Sequence, residues 1–153
     1  MQIRPAVAAD AGEVLTLQRA AFVKQAQSHN DVFLPPLVET LEEIEQAIAA
    51  GEVLVGREGS RLVGTVRRVL KDGELHIGRL AVAPDLEGRG LGSQLLAAAE
   101  NTPGADVAVL FTGHLAAGNL AMYFRRGYRE FDRRRQSDNV EVIFLRKPLG
   151  AAN

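Results

Sequence analysis

Residues 80–96, Leu-Ala-Val-Ala-Pro-Asp-Leu-Glu-Gly-Arg-Gly-Leu-Gly-Ser-Gln-Leu-Leu, restrict the fold of this chain more than any other stretch. An apolar run is cut by Pro84 and Asp85, passes glycines at the alternate positions 88, 90 and 92, and enters an alanine-rich run that ends near Asn101. The pattern predicts strand, glycine turn, helix. Glycine inside a helix costs about 1 kcal/mol against alanine, so Gly90 and Gly92 at the head of a strong helix former imply that some group approaches the main chain closely. Unpaired N–H groups at a helix start, backed by the positive end of the helix dipole, favour anionic oxygens, and the missing side chains leave room for a phosphate. The same residues would also serve a tight turn with no ligand. The nucleotide motifs do not fit: a nucleotide-hydrolase loop ends in lysine and serine or threonine, and a dinucleotide fingerprint has its third glycine three residues after the second.

The stretch does resemble the acetyl-coenzyme A loop of the GNAT superfamily of N-acetyltransferases, whose pattern is glutamine or arginine, two residues, glycine, one residue, then glycine or alanine. Gly90 and Gly92 fill the two small positions, while Glu87 departs from the pattern, standing where an amide or cation is usual. The resemblance implies that Leu80, Ala81 and Val82 lie along the pantetheine arm and that Glu87, Gly88, Arg89, Gly90, Leu91, Gly92 and Ser93 surround the diphosphate. A second motif, Asn119-x-x-x-Tyr123-x-x-x-Gly127-Tyr128, is similar to a common ending of the same family. Spacing by four puts Asn119 and Tyr123 on one helix face. By resemblance, Asn119 contacts the pantetheine or diphosphate and the Tyr123 hydroxyl lies near the coenzyme sulfur. Tyr123 would equally suit a core aromatic on a helix that also carries Leu120 and Phe124.

The remaining elements follow from periodicity. Residues 1–6 read as a short strand, and Asp10 as the N-cap of a helix running through Phe22. A polar segment at 25–31 and a rigid apolar connector at 33–37 come next, then a helix from Thr40, boxed by Glu43, to Ala50. Alternating segments at 53–55, 62–70 and 74–82 predict an antiparallel meander leading into the glycine turn. Residues 107–111 are apolar throughout, as in a strand buried on both faces. A helix over 115–126 and strands at 128–134 and 140–145 finish the chain. The resemblance implies an α+β, GNAT-like fold, a mixed but mostly antiparallel sheet of about six to seven strands with about four helices on both faces. Residues 1–153 form a single domain on this reading.

Acyl transfer from a thioester to an amine needs a neutral amine, a stabilised oxyanion and a proton for the departing thiolate. A phenol of pKa about 10 can supply a thiol of pKa about 8.5, which suits Tyr123 as the acid, and a main-chain N–H from the strand ending at Val82 would hold the oxyanion. An alkyl ammonium of pKa near 10.4 is neutral in about one molecule in 2,500 at pH 7, a handicap of about 4.6 kcal/mol, so a base is useful. His76 lies six positions before Val82, where some family members carry a glutamate, and Glu74 shares its strand face and could act through water. Both also suit an ordinary sheet. In the family the first helices and their connector roof the acceptor pocket, which nominates Phe33 and Leu37 for substrate binding, with His114 beyond the buried strand; each could instead be structural. His29, in the polar segment with no partner at ligand spacing, does not suggest a metal site.

Composition removes other classes. The 153 residues include no cysteine, so neither a disulfide framework nor a covalent thiol relay is available. A net charge of −1 argues against a nucleic-acid or anionic membrane partner, even though Arg125, Arg126, Arg133, Arg134 and Arg135 make the C-terminal part locally basic and Arg89 could approach a phosphate. No long uncharged apolar run suggests a membrane span or leader, so the cytoplasm is the expected location. The expected partners are acetyl-coenzyme A as co-substrate, no metal, and a small-molecule or protein amine as acceptor. A homodimer through C-terminal edge strands is a further expectation. The alternative is a non-catalytic acyl-coenzyme A binding or sensing domain.

Overall fold

The computed structural model describes residues 1–150. Seven strands, β1 (Gln2–Pro5), β2 (Val53–Glu58), β3 (Arg61–Lys71), β4 (Glu74–Val82), β5 (Val107–Gly113), β6 (Arg129–Arg135) and β7 (Glu141–Pro148), form one sheet in the order β1-β2-β3-β4-β5-β7-β6. All neighbours are antiparallel except β4 and β5, which are parallel and joined through the helix that follows the glycine turn. The helices are α1 (Ala11–His29), α2 (Pro35–Val38), α3 (Leu41–Ala49), α4 (Leu91–Glu100) and α5 (Ala117–Arg125). They exceed the expected four because the proline connector itself makes one turn of helix, with Pro35 at its first position where the missing N–H costs nothing. Among the described residues no helix is long and apolar enough to cross a membrane.

The sheet is apolar on both faces, and period-two alternation divides it between two cores. Leu54 of β2 packs with Leu95, Leu96 and Ala99 of α4 and Tyr123 of α5, whereas its neighbours Val53 and Val55 pack with Val14, Ile44 and Ile48 of α1 and α3. Helix α3 starts as expected: Thr40 Oγ1 accepts from the Glu43 amide at 3.2 Å, and Glu43 Oε1 accepts from the Thr40 amide at 2.9 Å.

Helix α1 departs from expectation. It continues through the polar segment to His29 and closes at Asn30 in the left-handed conformation. Ala26 and His29 are buried, so the core stripe of the helix persists where its letters turn polar. Asp10 stands at the helix start without bonding a helix amide. It is buried, 2.8 Å from both Arg4 and Arg57, and accepts from the Val7 N–H.

Two irregularities in β4 prepare a site. Opposite Val66 of β3 stand two residues, Arg79 and Leu80, with Arg79 at φ +53°, so β4 carries a bulge. The extra residue switches parity. Leu75 and Ile77 face the α4 core before the bulge, and Leu80 and Val82 face it afterwards. Moreover, β4 and β5 pair only at Glu74↔Val107, Leu75↔Ala108 and His76↔Val109. Beyond that they run on unpaired to Val82 and Gly113, opening a wedge in the sheet.

Candidate active site

Two cavities lie on either side of that wedge. The first, of about 320 Å³, is walled by β3, β4 and β5 and roofed by α1 and the proline turn. The second, of about 590 Å³, runs between Leu80, Ala81 and Val82 on one side and the starts of α4 and α5 on the other. Phe22, Gln25, Leu80 and Asn119 line both, so the two spaces meet there.

The second cavity is the glycine groove. Gly90, at φ +79°, is the left-handed residue immediately before α4, and the first intrahelical bond is from the Gln94 N–H to its carbonyl at 3.1 Å. Gly90 is therefore required by backbone conformation; it does not lie inside the helix. Gly92 is different: a Cβ there would stand 3.5 Å from Met122 Sδ, and the residue lines the groove. Among the described residues the amides of Leu91, Gly92 and Ser93 have no acceptor. A second helix start opens on the same groove. Ala117, Gly118 and Asn119 line it, and α5 makes its first bond only from the Leu120 N–H to Ala116. Two sets of bare amides with two dipole ends suit an extended anion. The start of α5 was not expected, though Gly118 after Ala116 and Ala117 is a visible signal of a bare main chain.

Of the residues expected at the coenzyme, Leu80, Ala81, Val82 and Asn119 line this groove, as do Glu87, Gly88 and Gly90 through Ser93. Arg89 lies outside it, paired with Glu58 at 3.4 Å. Glu87 is exposed and 3.9 Å from Lys24, which partly offsets its charge.

Tyr123 and Asn119 both line the first cavity. Tyr123 is 6% exposed, with its ring edge-on to Tyr128 at 5.9 Å, and among the described residues its hydroxyl has no hydrogen-bond partner. Burial pushes that hydroxyl well above the ordinary phenol range, so it keeps its proton at any working pH. His76 lines the cavity at its outer end, with Nε2 2.9 Å from Glu74 Oε1; both side chains are about half exposed. Glu74 itself lines neither cavity.

The residues expected at the acceptor lie outside both cavities. Phe33 is 76% exposed and, like Leu37, lines neither cavity; the connector presents Leu34, Pro35 and Pro36 instead. His114 also lines neither, because its Nδ1 accepts the Glu141 N–H at 3.0 Å as part of a loop anchor. The histidine in the wall is His29. It donates from Nδ1 to the Gln25 carbonyl at 2.9 Å and accepts the Leu115 N–H on Nε2 at 3.1 Å, which fixes the orientation of the ring. Among the described residues no three His, Asp or Glu side chains converge as metal ligands would.

Sequence reasoning also missed an ionic cluster beneath the proline turn. Glu39 accepts from Arg67 Nη1 and Nη2 at 2.7 and 3.0 Å, from Gln18 Nε2 at 3.0 Å and from Arg79 Nε at 3.4 Å. Burial raises its pKa, but the Arg67 and Gln18 hydrogen bonds and the two nearby guanidinium charges win, holding it at about 2. Charged letters inside the apolar strands β3 and β4 were the available signal.

A family model described as the acetyltransferase (GNAT) domain matches residues 18–149. No curated protein sequence matches the chain. Among solved structures, it is similar to the PaiA N-acetyltransferase of Thermoplasma acidophilum in complex with coenzyme A, with 15% identity and TM-score 0.77 over 96% of this chain and 98% of that one. The YncA protein of Salmonella typhimurium with its cofactor acetyl-CoA gives 20% identity and TM-score 0.76 over 100% and 96%. A ribosomal-protein-alanine N-acetyltransferase from Brucella melitensis gives 20% and 0.76 over 97% and 100%.

Proposed function

This chain belongs to the GNAT acetyltransferase family, and from that premise we propose that it transfers an acetyl group from acetyl-coenzyme A to a primary amine of a small molecule or protein. The observation that carries the reading is the meeting of two separately walled cavities at Leu80 and Asn119, one flanked by bare helix amides and one not. Coenzyme A complexes of the PaiA and YncA neighbours support the choice of co-substrate.

In this reaction the acceptor nitrogen attacks the thioester carbon, the carbon–sulfur bond breaks, the nitrogen gives up a proton, and the sulfur leaves as a thiolate that takes a proton from water on release. The amides of α4 and α5 would hold the diphosphate, and main-chain amides on the splayed edge of β4 would hold the carbonyl oxygen. Tyr123 would give the sulfur a hydrogen bond from a hydroxyl that burial keeps protonated. His76, oriented by Glu74, would take the amine proton through water. With no cysteine in the chain there is no thiol for a covalent relay, and direct attack with both substrates bound together is the route proposed.

Isothermal titration with acetyl-coenzyme A and thiol release over a panel of primary amines test the proposal. Micromolar binding with amine-dependent thiol release is expected. Binding without release on any amine would favour the sensing alternative, and absence of binding would remove both.

A further inference from the structure

The geometry points to an acceptor that is a small amine bearing a carboxylate on an otherwise apolar body, with the carboxylate held by Arg79; this rests on the acetyl-transfer reading above. Two guanidiniums, Arg67 and Arg79, stand in the wall of the first cavity, and a single carboxylate answers them. Arg67 uses both terminal nitrogens on Glu39. Arg79 reaches Glu39 only through Nε, at 3.4 Å, on an oxygen that already accepts from Gln18 and Arg67. Among the described residues the two terminal nitrogens of Arg79 have no partner, although its side chain is only 24% exposed. A half-buried fork with its donors free is what a bidentate carboxylate requires.

The rest of the wall restricts the acceptor further. No Asp or Glu among the described residues lines this cavity, so an acceptor with a second ammonium group would face an uncompensated cation. Phe22, Leu34, Val69, Phe111 and Val142 give the wall a broad apolar area, while Gln25, Thr112 and Gln136 add polar groups without charge. The volume of about 320 Å³ lies at the small end of ligand pockets, which run from about 300 Å³ upward. Position supplies the last constraint. The bulge sets Arg79 next to Leu80, which stands where the two cavities meet, so the carboxylate belongs close to the reacting nitrogen. The substrate class is an α-amino acid with an apolar side chain.

Three amines with one phenyl body separate the features: L-phenylalanine, L-phenylalanine amide and phenethylamine, compared at equal free-base concentration with acetyl-coenzyme A, with O-phosphoethanolamine as a phosphate-bearing fourth. For L-phenylalanine kcat/KM is expected to exceed that of the amide and of phenethylamine by about tenfold or more, and Arg79→Gln to bring those ratios to about one while coenzyme binding is retained. Ratios near one in the wild type, or a preference for phenethylamine or O-phosphoethanolamine, overturn the inference. A binding readout keeps it separate from the reaction: N-acetyl-L-phenylalanine and N-acetylphenethylamine are titrated into the protein with and without coenzyme A. Preference for the acid supports the carboxylate subsite whether or not any amine turns over, and equal or absent binding of the acid refutes it. Loss of acetyl-coenzyme A binding alone bears on the catalytic reading.

Discussion

Replacing Glu39 with glutamine keeps the shape of the side chain and removes the charge on which Gln18, Arg67 and Arg79 converge. The carboxyl is held at about 2 against an ordinary 4.5. At about 1.4 kcal/mol per factor of ten, that difference corresponds to about 3 kcal/mol of folding stability at neutral pH. Removing one partner of a buried ion pair costs about 3–5 kcal/mol, a consistent range. The sign follows from the depressed value: the contribution is complete above the unfolded value of 4.5 and is lost as pH falls towards about 2. Urea titrations of wild type and Glu39→Gln should therefore differ by about 3 kcal/mol near pH 7 and by clearly less near pH 3. Asp10 also titrates low, because the Arg4 hydrogen bond outweighs its burial, but it is present in both proteins and cancels in the comparison. A gap under about 0.5 kcal/mol at neutral pH, or one of equal size at both ends, would mean that solvent screens the cluster and that the argument from burial is wrong.

Tyr123→Phe should lower kcat by about a hundredfold or more while leaving the Kd for acetyl-coenzyme A unchanged; a matching loss in Kd would make Tyr123 a packing residue. His76→Ala should produce a deficit that grows as pH falls from about 10 to about 6.5, since the acceptor becomes progressively protonated over that window, and an unaltered pH–rate profile removes His76 from the mechanism. Gly113→Ala would drive a Cβ into the His29 ring, which cannot move without giving up the Leu115 N–H. A loss of about 1–3 kcal/mol in urea titration is expected, and an unchanged midpoint would show that the ring relocates freely.

What the sequence disclosed and what it hid follow from how each cavity wall is built. The groove beside α4 is built from main-chain amides supplied by contiguous residues, and the conformations that bare them demand glycine at 88 and 90. That requirement is written within a few letters, so the stretch announced its turn and the bare main chain beside it. The strands announced themselves through alternation, and Thr40 with Glu43 through a four-residue cap. The first cavity is assembled from side chains of α1, α2, β3, β4 and β5 that only the folded sheet brings together. Arg67 and Arg79 meet Glu39 across 28 and 40 residues, and His29 meets Leu115 across 86, separations at which no local pattern specifies a partner. His29 consequently stands in the cavity wall where His114 was expected, and in the proline connector the buried contact fell on Leu34, with Phe33 left outside. The bulge is the clearest case. Arg79 takes a left-handed conformation with no glycine to mark it, and that one residue moves β4 to the opposite parity and leaves a guanidinium fork in the wall. If the proposed division of donor and acceptor holds, acceptor choice would be set by such long-range convergence, because the groove beside α4 is built from local main chain.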